Sequence, residues 1–181
     1  MGRLEIKTEQ LLLRPPTLED VPAIHAFCDD PDIAWCIVGA PTPYPAEYAE
    51  KWVRECAIGL DNEEKYAFLI CIPETGEVIG DTMLNLDVRD RRAELGYLLA
   101  KSHRGKGYAF EAASAIVDFG FRNLMLNKIY AGVWTANQPS VNVLEKLGFT
   151  REGVLRQHDL KWGEFLDDAR YGLLRSEWEQ R

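Results

Sequence analysis

The sequence lacks the features that mark several large classes of protein. It has no apolar run close to the roughly 18 residues that a membrane-spanning helix needs, so we expect no membrane partner. Its first ten residues alternate in charge and lack the apolar stretch of a signal peptide, which favours a cytoplasmic location. With 21 basic against 29 acidic residues, the chain also lacks the cationic excess by which proteins bind nucleic acids, and we expect none as a partner.

Cysteine and histidine are scarce and scattered. The three histidines are far apart, and no two cysteines stand in a C-x-x-C spacing. A metal site needs clustered ligands, so we expect no metal ion. The cysteines are expected to be small buried side chains of a protein in a reducing compartment: Cys28, Cys36, Cys56 and Cys71.

What is present is the composition of an ordinary globular protein. Of 181 residues, 46% are hydrophobic and 28% are charged, and this length favours a single domain over residues 1–181. The net charge of −8 would concentrate cationic substrates near the surface, although solubility explains it equally well.

Strand and helix patterns follow one another along the chain. Strands are expected at residues 10–14, 66–72, 78–86, 93–100 and 128–135, with two more joined around Trp162 and Gly163. Helices are expected at about residues 17–29, 46–58, 109–124 and 139–147, with Gly59 and Gly148 as stop signals. The order of elements in the second half indicates a layered α/β fold with helices packed on a sheet.

A basic loop with two glycines separates strand 93–100 from the next helix. Its sequence is Arg104-Gly-Lys-Gly-Tyr-Ala109. Glycines let a backbone approach a ligand closely, and free N–H groups at a helix start favour an anion such as pyrophosphate. The spacing fits neither a P-loop nor G-x-G-x-x-G, whose third glycine would fall on Phe110. Taken alone, the loop is explained equally well as a tight turn without a ligand.

Three motifs in one order resemble the GNAT acetyltransferases. Residues 104–109 resemble the R/Q-x-x-G-x-G/A pyrophosphate loop of that family, residues 93–99 its central strand, and residues 137–149 its N-x-x-S/A…K-x-G-F segment. Residues 12–14 and 173–178 resemble the RimJ/RimL branch, which acetylates protein N-termini. The resemblance spans nearly the whole chain.

This resemblance implies a fold and a cosubstrate. The fold would be α/β (α+β), a GNAT-like mixed and centrally splayed β-sheet with helices on both faces. The cosubstrate would be acetyl-CoA, whose pantetheine arm would run beside Leu98 and Leu99 and bind Asn137. The pyrophosphate would lie on backbone N–H groups of Arg104, Gly105, Lys106, Gly107, Tyr108 and Ala109.

Forming an amide from a thioester requires a group that takes a proton from the amine. Glu94, among apolar neighbours on the central strand, is the candidate base, and a surface pair with Arg91 or Arg92 is the alternative. Asp81 is a weaker candidate in an apolar strand, and Asp168 is another, expected in a solvated acidic turn.

The departing thiolate also needs a proton. Many GNAT enzymes carry a tyrosine seven residues after the asparagine of the third motif, where this chain has Leu144. In the RimJ/RimL branch a serine three residues after that asparagine is a candidate, and Ser140 is present, with helix capping as the alternative. Three aromatic residues are interpreted as core side chains: Tyr97, Trp134 and Trp162.

The sequence therefore predicts an acetyl-CoA-dependent N-acetyltransferase that acts on a primary amine. The acceptor would be a protein N-terminal α-amine or a small amine, and the protein a monomer or a homodimer. A non-catalytic acyl-CoA-binding module, serving as a sensor or scaffold, is the alternative because the tyrosine is missing.

Overall fold

The computed structural model describes residues 4–37 and 39–181, and the strands within these residues form one sheet. The order across the sheet is β1-β2-β3-β4-β5-β6-β8-β7, and only β5 and β6 are parallel. The strands are β1 (Ile6–Lys7), β2 (Leu12–Arg14), β3 (Lys65–Cys71), β4 (Val78–Asp87), β5 (Arg92–Leu99), β6 (Lys128–Trp134), β7 (Thr150–Lys161) and β8 (Glu164–Leu174).

Helices cover both faces of this sheet. One face packs against α1 and α3, and we call it the α1 face; the other packs against α4, and we call it the α4 face. The predicted mixed α/β fold is thereby confirmed. In the described part of the chain no helix is long and apolar enough to cross a membrane. The helices are α1 (Val21–Cys28), α2 (Pro31–Cys36), α3 (Ala46–Asp61), α4 (Tyr108–Arg122), α5 (Gln138–Lys146) and α6 (Arg175–Trp178).

The core divides into two apolar layers, one on each face. The α4 face buries Phe68, Ile116 and Phe121 completely, and the α1 face does the same for Ile33 and Leu69. Burial of such a side chain contributes roughly 1.5–3 kcal/mol, so these layers hold the helices on the sheet. The helical face predicted within residues 109–124 is buried as expected at Ala113, Ile116, Val117, Gly120 and Phe121.

Two helices differ from the sequence prediction. α3 continues through Gly59 to Asp61, so Gly59 is not its stop. A side chain at Gly59 would approach Lys65 Cβ to 2.6 Å, which indicates that this glycine serves close packing rather than helix ending. α2 was not predicted, because its six residues are too few to show periodicity. Its start follows local rules, since Asp30 caps Asp32 N–H at 2.8 Å.

The C-terminal hairpin has the predicted turn. Trp162 and Gly163 join β7 to β8 with φ values of +50° and +90°. Trp162 is 54% exposed at this turn, so its interpretation as a core residue is wrong. β8 inserts between β6 and β7, so the last strand along the chain lies one position in from the edge strand β7.

Candidate active site

The sheet opens between its two parallel strands. β5 and β6 are in register at only three pairs, from Arg92–Lys128 to Glu94–Tyr130. Beyond Glu94, β5 stays paired with β4, while β6 stays paired with β8. We call the wedge beyond these pairs the gap, and it is the central splay expected from the sequence.

One edge of the gap consists of backbone groups of β5. The Ala100 N–H donates to β4 at 2.8 Å, and the Gly96 carbonyl accepts from a hydroxyl of β4 at 3.1 Å. Because backbone groups alternate along a strand, Leu95, Tyr97 and Leu99 direct theirs towards the gap. An extended molecule can pair with this edge as an added strand does.

The two leucines expected beside a pantetheine arm are oriented differently. The Leu99 carbonyl faces the gap and accepts from Arg104 Nε at 3.2 Å. Leu98 stands opposite Asp81, so its backbone pairs with β4 and its side chain lies on the α1 face. Both contacts with the arm stay predictions, and that of Leu98 is limited to its side chain.

The glycine loop leaves a set of backbone donors free. Gly105 and Gly107 have φ values of +78° and +87°, which other residues rarely adopt, and Gly107 is the N-cap of α4. The first helical hydrogen bond is accepted by the Gly107 carbonyl at 3.0 Å. Among the described residues, the N–H groups of residues 105–110 have no protein acceptor. With Arg104 and Lys106 exposed beside them, these donors fit the pyrophosphate of acetyl-CoA.

The start of α5 forms the opposite edge of the gap. Asn137 Oδ1 accepts from the Ser140 N–H at 3.3 Å, so Asn137 is the cap of α5 and the capping alternative for Ser140 is wrong. The Ser140 hydroxyl lies 2.8 Å from the Tyr97 hydroxyl instead. Asn137 Nδ2 is directed to Cys36 Sγ at 3.9 Å, which places this amide beside α2.

Glu94 lies on the α1 face at the closed end of the gap. Its Oε1 is 3.8 Å from Arg170 Nη1, and its side chain is 42% exposed. The surface pairing considered as the alternative is wrong in its partners, since Arg91 donates to a backbone carbonyl and Arg92 pairs with Asp87 at 2.8 Å. Glu94 is therefore open to a molecule that enters the gap from this face.

Two oppositely charged side chains of β8, the strand beside β6, lie on the α1 face. Arg170 Nη2 is 2.5 Å from Asp168 Oδ2, and a Cβ at Gly132 would lie within 3.2 Å of both side chains. The Asp168 side chain is 5% exposed, and burial raises its pKa above the ordinary value. Its Oδ1 has no hydrogen-bond partner among the described residues. The predicted solvated turn is wrong, because Asp168 pairs with Trp134 inside the sheet.

Asp81 is another carboxyl group on this face. It is 4% exposed beneath α1 and α3, and its Oδ1 has no hydrogen-bond partner in the part of the chain described. Burial raises the pKa of Asp81 to about 7. Asp81 therefore differs from Asp168, which has a cation in direct contact.

α2 crosses the open end of the gap. On the β5 side, Asp32 pairs with Lys101 at 2.6 Å. On the other side, Lys161 Nζ donates to two backbone carbonyls at the C-terminal end of α2, both at 2.7 Å. Trp35 also meets Trp134 edge-on, with ring centroids 4.7 Å apart. α2 is thus tethered to both sides of the gap.

Four residues at the gap were not selected from the sequence. Arg170 carried a signal, because residues two apart in a strand share a face and Asp168 was already a candidate. Tyr97 was interpreted as core, yet its hydroxyl reaches Ser140. The other two carried no signal, because their partners are about a hundred or more positions away along the chain: Trp35 and Lys161.

Metal ligands are not gathered at the gap. Within residues 4–37 and 39–181, no group of three or more His, Cys, Asp or Glu residues is placed to hold a metal ion. Three of the four free cysteines are buried, as the sequence indicated, and Cys36 is half-buried.

Known proteins are similar to this chain in sequence and in fold. Residues 10–150 match the family model of the acetyltransferase (GNAT) domain. The chain is 34% identical over 172 residues to the uncharacterized N-acetyltransferase p20 of Bacillus licheniformis, a match covering 94% of this chain and 96% of p20.

Solved structures of acetyltransferases are similar to this chain in fold. An acetyltransferase of the GNAT family from Bacillus anthracis matches with a TM-score of 0.85 and 26% identity, over 96% of this chain and 100% of that one. A spermidine N-acetyltransferase from Vibrio cholerae, in complex with CoA and spermine, matches with a TM-score of 0.83 and 26% identity, over 95% and 99%.

Proposed function

This chain belongs to the GNAT family of acetyltransferases, and from that premise we propose that its acceptor is a small cationic molecule with a primary amine. Membership makes the protein an N-acetyltransferase with acetyl-CoA as its cosubstrate. The proposal concerns the acceptor and the roles of individual residues.

The observation that carries the proposal is the buried Asp168 carboxylate. One of its oxygens contacts Arg170, and the other has no partner among the described residues. With Glu94 3.8 Å from Arg170, this group of three side chains has two negative charges and one positive. An ammonium beside Asp168 Oδ1 would supply the missing hydrogen bond and balance the charge.

In this proposal, α2 limits the size of the acceptor. This helix is fastened to Lys101 on one side of the gap and to Lys161 on the other. A wall across the open end favours a narrow acceptor over a folded protein surface. The spermidine N-acetyltransferase of similar fold acts on an acceptor of this class. A protein N-terminus, which the likeness to the RimJ/RimL branch favours, is the competing acceptor.

Each residue at the gap then has a role in the proposal. Acetyl-CoA supplies the activated acetyl group, so the protein needs no nucleophile of its own. Residues 104–109 hold its pyrophosphate, while Asn137, the backbone edge of β5 at Leu99 and the side chain of Leu98 hold its arm. Glu94 takes the proton of the incoming ammonium, and Ser140 serves the departing thiolate.

An acceptor panel tests the proposal. Release of free thiol from acetyl-CoA is measured with spermidine, a short diamine, an amino-acid amide, and peptides that begin with serine or alanine. We expect thiol release that depends on the amine and is fastest with the small cationic amines. Faster release with the peptides would support the protein N-terminus, and tight CoA binding without release would support the non-catalytic module.

A pair of neighbouring variants tests the role of Asp168. Asp168→Asn should raise the Michaelis constant for the acceptor by about tenfold or more, because a charge-assisted hydrogen bond contributes roughly 1.5–3 kcal/mol. Acetyl-CoA affinity should not change. Asp167→Asn is the control, since Asp167 carries the same charge but faces away and accepts from Gln157 N–H at 2.7 Å. Equal Michaelis constants in the two variants would remove Asp168 from the proposal.

A further inference from the structure

The position expected to supply the proton for the thiolate holds no donor. Leu144 is 1% exposed and packs in the core of the α4 face. Ser140 alone is a poor acid, because an isolated hydroxyl holds its proton tightly. The thiolate therefore needs a second group near Ser140.

Two hydroxyl groups, one from each edge of the gap, meet where such a group is needed. Tyr97 belongs to β5 and Ser140 to α5, which follows β6, so the two residues come from opposite edges. The Tyr97 hydroxyl donates to the Ser140 carbonyl oxygen at 3.1 Å and also lies 2.8 Å from Ser140 Oγ, where either hydroxyl can be the donor. These contacts join the two edges on the α4 face.

The Tyr97 hydroxyl carries a hydrogen at neutral pH. Burial raises the pKa of Tyr97 to about 12, so the phenol keeps its proton at neutral pH. The single hydrogen of Tyr97 has two acceptors within reach, the Ser140 carbonyl oxygen and Ser140 Oγ. When the phenol turns to donate to Oγ, the hydroxyl hydrogen of Ser140 is free to point into the gap. The sulfur of CoA, at the end of a pantetheine arm paired with the edge of β5, would accept a hydrogen bond from that hydroxyl.

We propose that Tyr97 supplies a proton to the departing thiolate through the Ser140 hydroxyl, in place of the tyrosine that is absent at Leu144. The proposal rests on the acetyl transfer proposed above. It makes Ser140 and Tyr97 one functional unit rather than a catalytic serine beside a core tyrosine.

The protons and bonds balance without another reactant. The acceptor ammonium first gives one proton to Glu94. The C–N bond then forms as the C–S bond breaks, and the sulfur takes a proton from Ser140 while Ser140 takes one from Tyr97. The second proton lost by the nitrogen returns to Tyr97 through solvent, leaving an amide, a free thiol and the proton on Glu94.

The first experiment compares turnover in three variants. Tyr97→Phe should lower turnover at saturating substrates by about 10²-fold, with acetyl-CoA affinity unchanged, because only a hydroxyl is removed. Ser140→Ala should have a similar effect, and the double variant should be no slower than the slower single variant, since the residues act as one unit.

The matched control is Tyr171→Phe. Tyr171 is also a buried tyrosine whose hydroxyl donates to α5, to Glu145 Oε1 at 3.3 Å, but it belongs to β8, away from the edge of the gap. This variant should turn over as wild type does. An equal loss in the Tyr97 and Tyr171 variants would show that the lost hydrogen bond to α5 matters only for stability, and would overturn the proposal.

The second experiment tests the contact between the hydroxyl pair and the sulfur of CoA without measuring turnover. The thiol of bound CoA is titrated by the ultraviolet absorbance of the thiolate in wild type and in Tyr97→Phe. A hydroxyl donor favours the thiolate, so the variant should raise the pKa of the bound thiol by about one unit. An unchanged thiol pKa together with wild-type turnover would overturn the proposal.

The two proposals fail in different ways. Without amine-dependent thiol release in wild type, the proposed acetyl transfer fails, whatever the titration shows. With that release present, unchanged turnover in Tyr97→Phe refutes the role of Tyr97 alone. A variant that loses turnover and acetyl-CoA affinity together, with the same thiol pKa as wild type, would make Tyr97 a packing residue and would also refute it.

Discussion

The two sides of the gap are built from different parts of the chain. The side that we propose for acetyl-CoA, the cosubstrate side, consists of the glycine loop, the edge of β5 and the first turn of α5, and it offers mainly backbone N–H and carbonyl groups. The side that we propose for the amine, the acceptor side, consists of side chains on the α1 face, among them Glu94, Asp168 and Arg170, together with α2.

This difference has a physical consequence for specificity. A backbone donor is unchanged by most substitutions, so the cosubstrate side depends on conformation more than on residue identity. A side-chain carboxylate is lost in one substitution, so the acceptor side can change its ligand easily. We therefore expect variants on the acceptor side to alter acceptor kinetics, and variants of the loop conformation to alter acetyl-CoA affinity.

The largest effect is expected for Glu94→Gln. Without a carboxylate to take the amine proton, turnover should fall by about 10²- to 10⁴-fold, and the rising acidic limb of the pH–rate profile should be reduced or shifted. Turnover and the acceptor Michaelis constant measured across pH give this result. Asp90→Asn, at an exposed carboxylate near Arg92, is the control.

Other outcomes for Glu94→Gln have definite meanings. A higher Michaelis constant for the acceptor with unchanged saturated turnover would make Glu94 an amine-binding group. Kinetics equal to wild type in both quantities would remove Glu94 from the site. Asp81 would then be the next residue to test as the base.

Asp81→Asn should change stability with pH. The pKa of Asp81 in the folded state is about 7 and in the unfolded state is near 3.8, so its stabilising contribution is present below pH 3.8 and is lost as pH rises through 7. The asparagine does not titrate. The variant should gain up to roughly 4 kcal/mol in unfolding free energy, relative to wild type, between acidic and mildly alkaline pH.

Urea unfolding at several pH values measures this difference. Asp168→Asn is a useful comparison, because Asp168 has Arg170 in contact and its charged form is partly compensated. We expect a smaller pH-dependent difference for that variant. A difference for Asp81→Asn that is constant with pH would mean that its carboxyl group is solvated in the folded protein.

The smallest of these effects is expected for Gly107→Val. A β-branched residue at a φ of +87° is strained by about 1–3 kcal/mol, and its side chain would project from the free N–H groups of the loop. Acetyl-CoA affinity should fall by roughly 30-fold, or about 2 kcal/mol, as measured by calorimetry.

Gly163→Val is the matched control for Gly107→Val. Gly163 has a φ of +90° in the turn between β7 and β8, so the substitution imposes similar strain away from the loop. It should leave acetyl-CoA affinity unchanged. If a folded Gly107→Val variant also binds as wild type does, the loop does not hold the pyrophosphate.

Sequence reasoning selected the residues of the proposed cosubstrate side because their signals are local. Gly105 and Gly107 lie within a few residues of the helix whose N-terminus they expose, and Asn137 caps the helix that contains Ser140. The strands and helices that carry these motifs were also predicted to within a few residues, because their apolar periodicity is strong.

The acceptor side could not be predicted in the same way, because its contacts are distant in the sequence. Trp35 meets Trp134, and Lys161 binds the end of α2, only after the sheet has formed. The sequence selected Asp168 but misjudged its surroundings, since the acidic residues beside it resemble a turn. Local spacing in the sequence indicates neither the burial of Asp168 nor the partner of Glu94.

The contacts that hold α2 on the two sides of the gap differ in their response to dissolved salt. The pair between Asp32 and Lys101 is exposed on both partners, so dissolved salt screens it. Lys161 is 5% exposed and bonds to carbonyl oxygens, so salt affects it little. At high ionic strength α2 should therefore loosen first at Asp32 and Lys101, while Lys161 and the buried side chain of Ile33 keep the rest of the helix on the sheet.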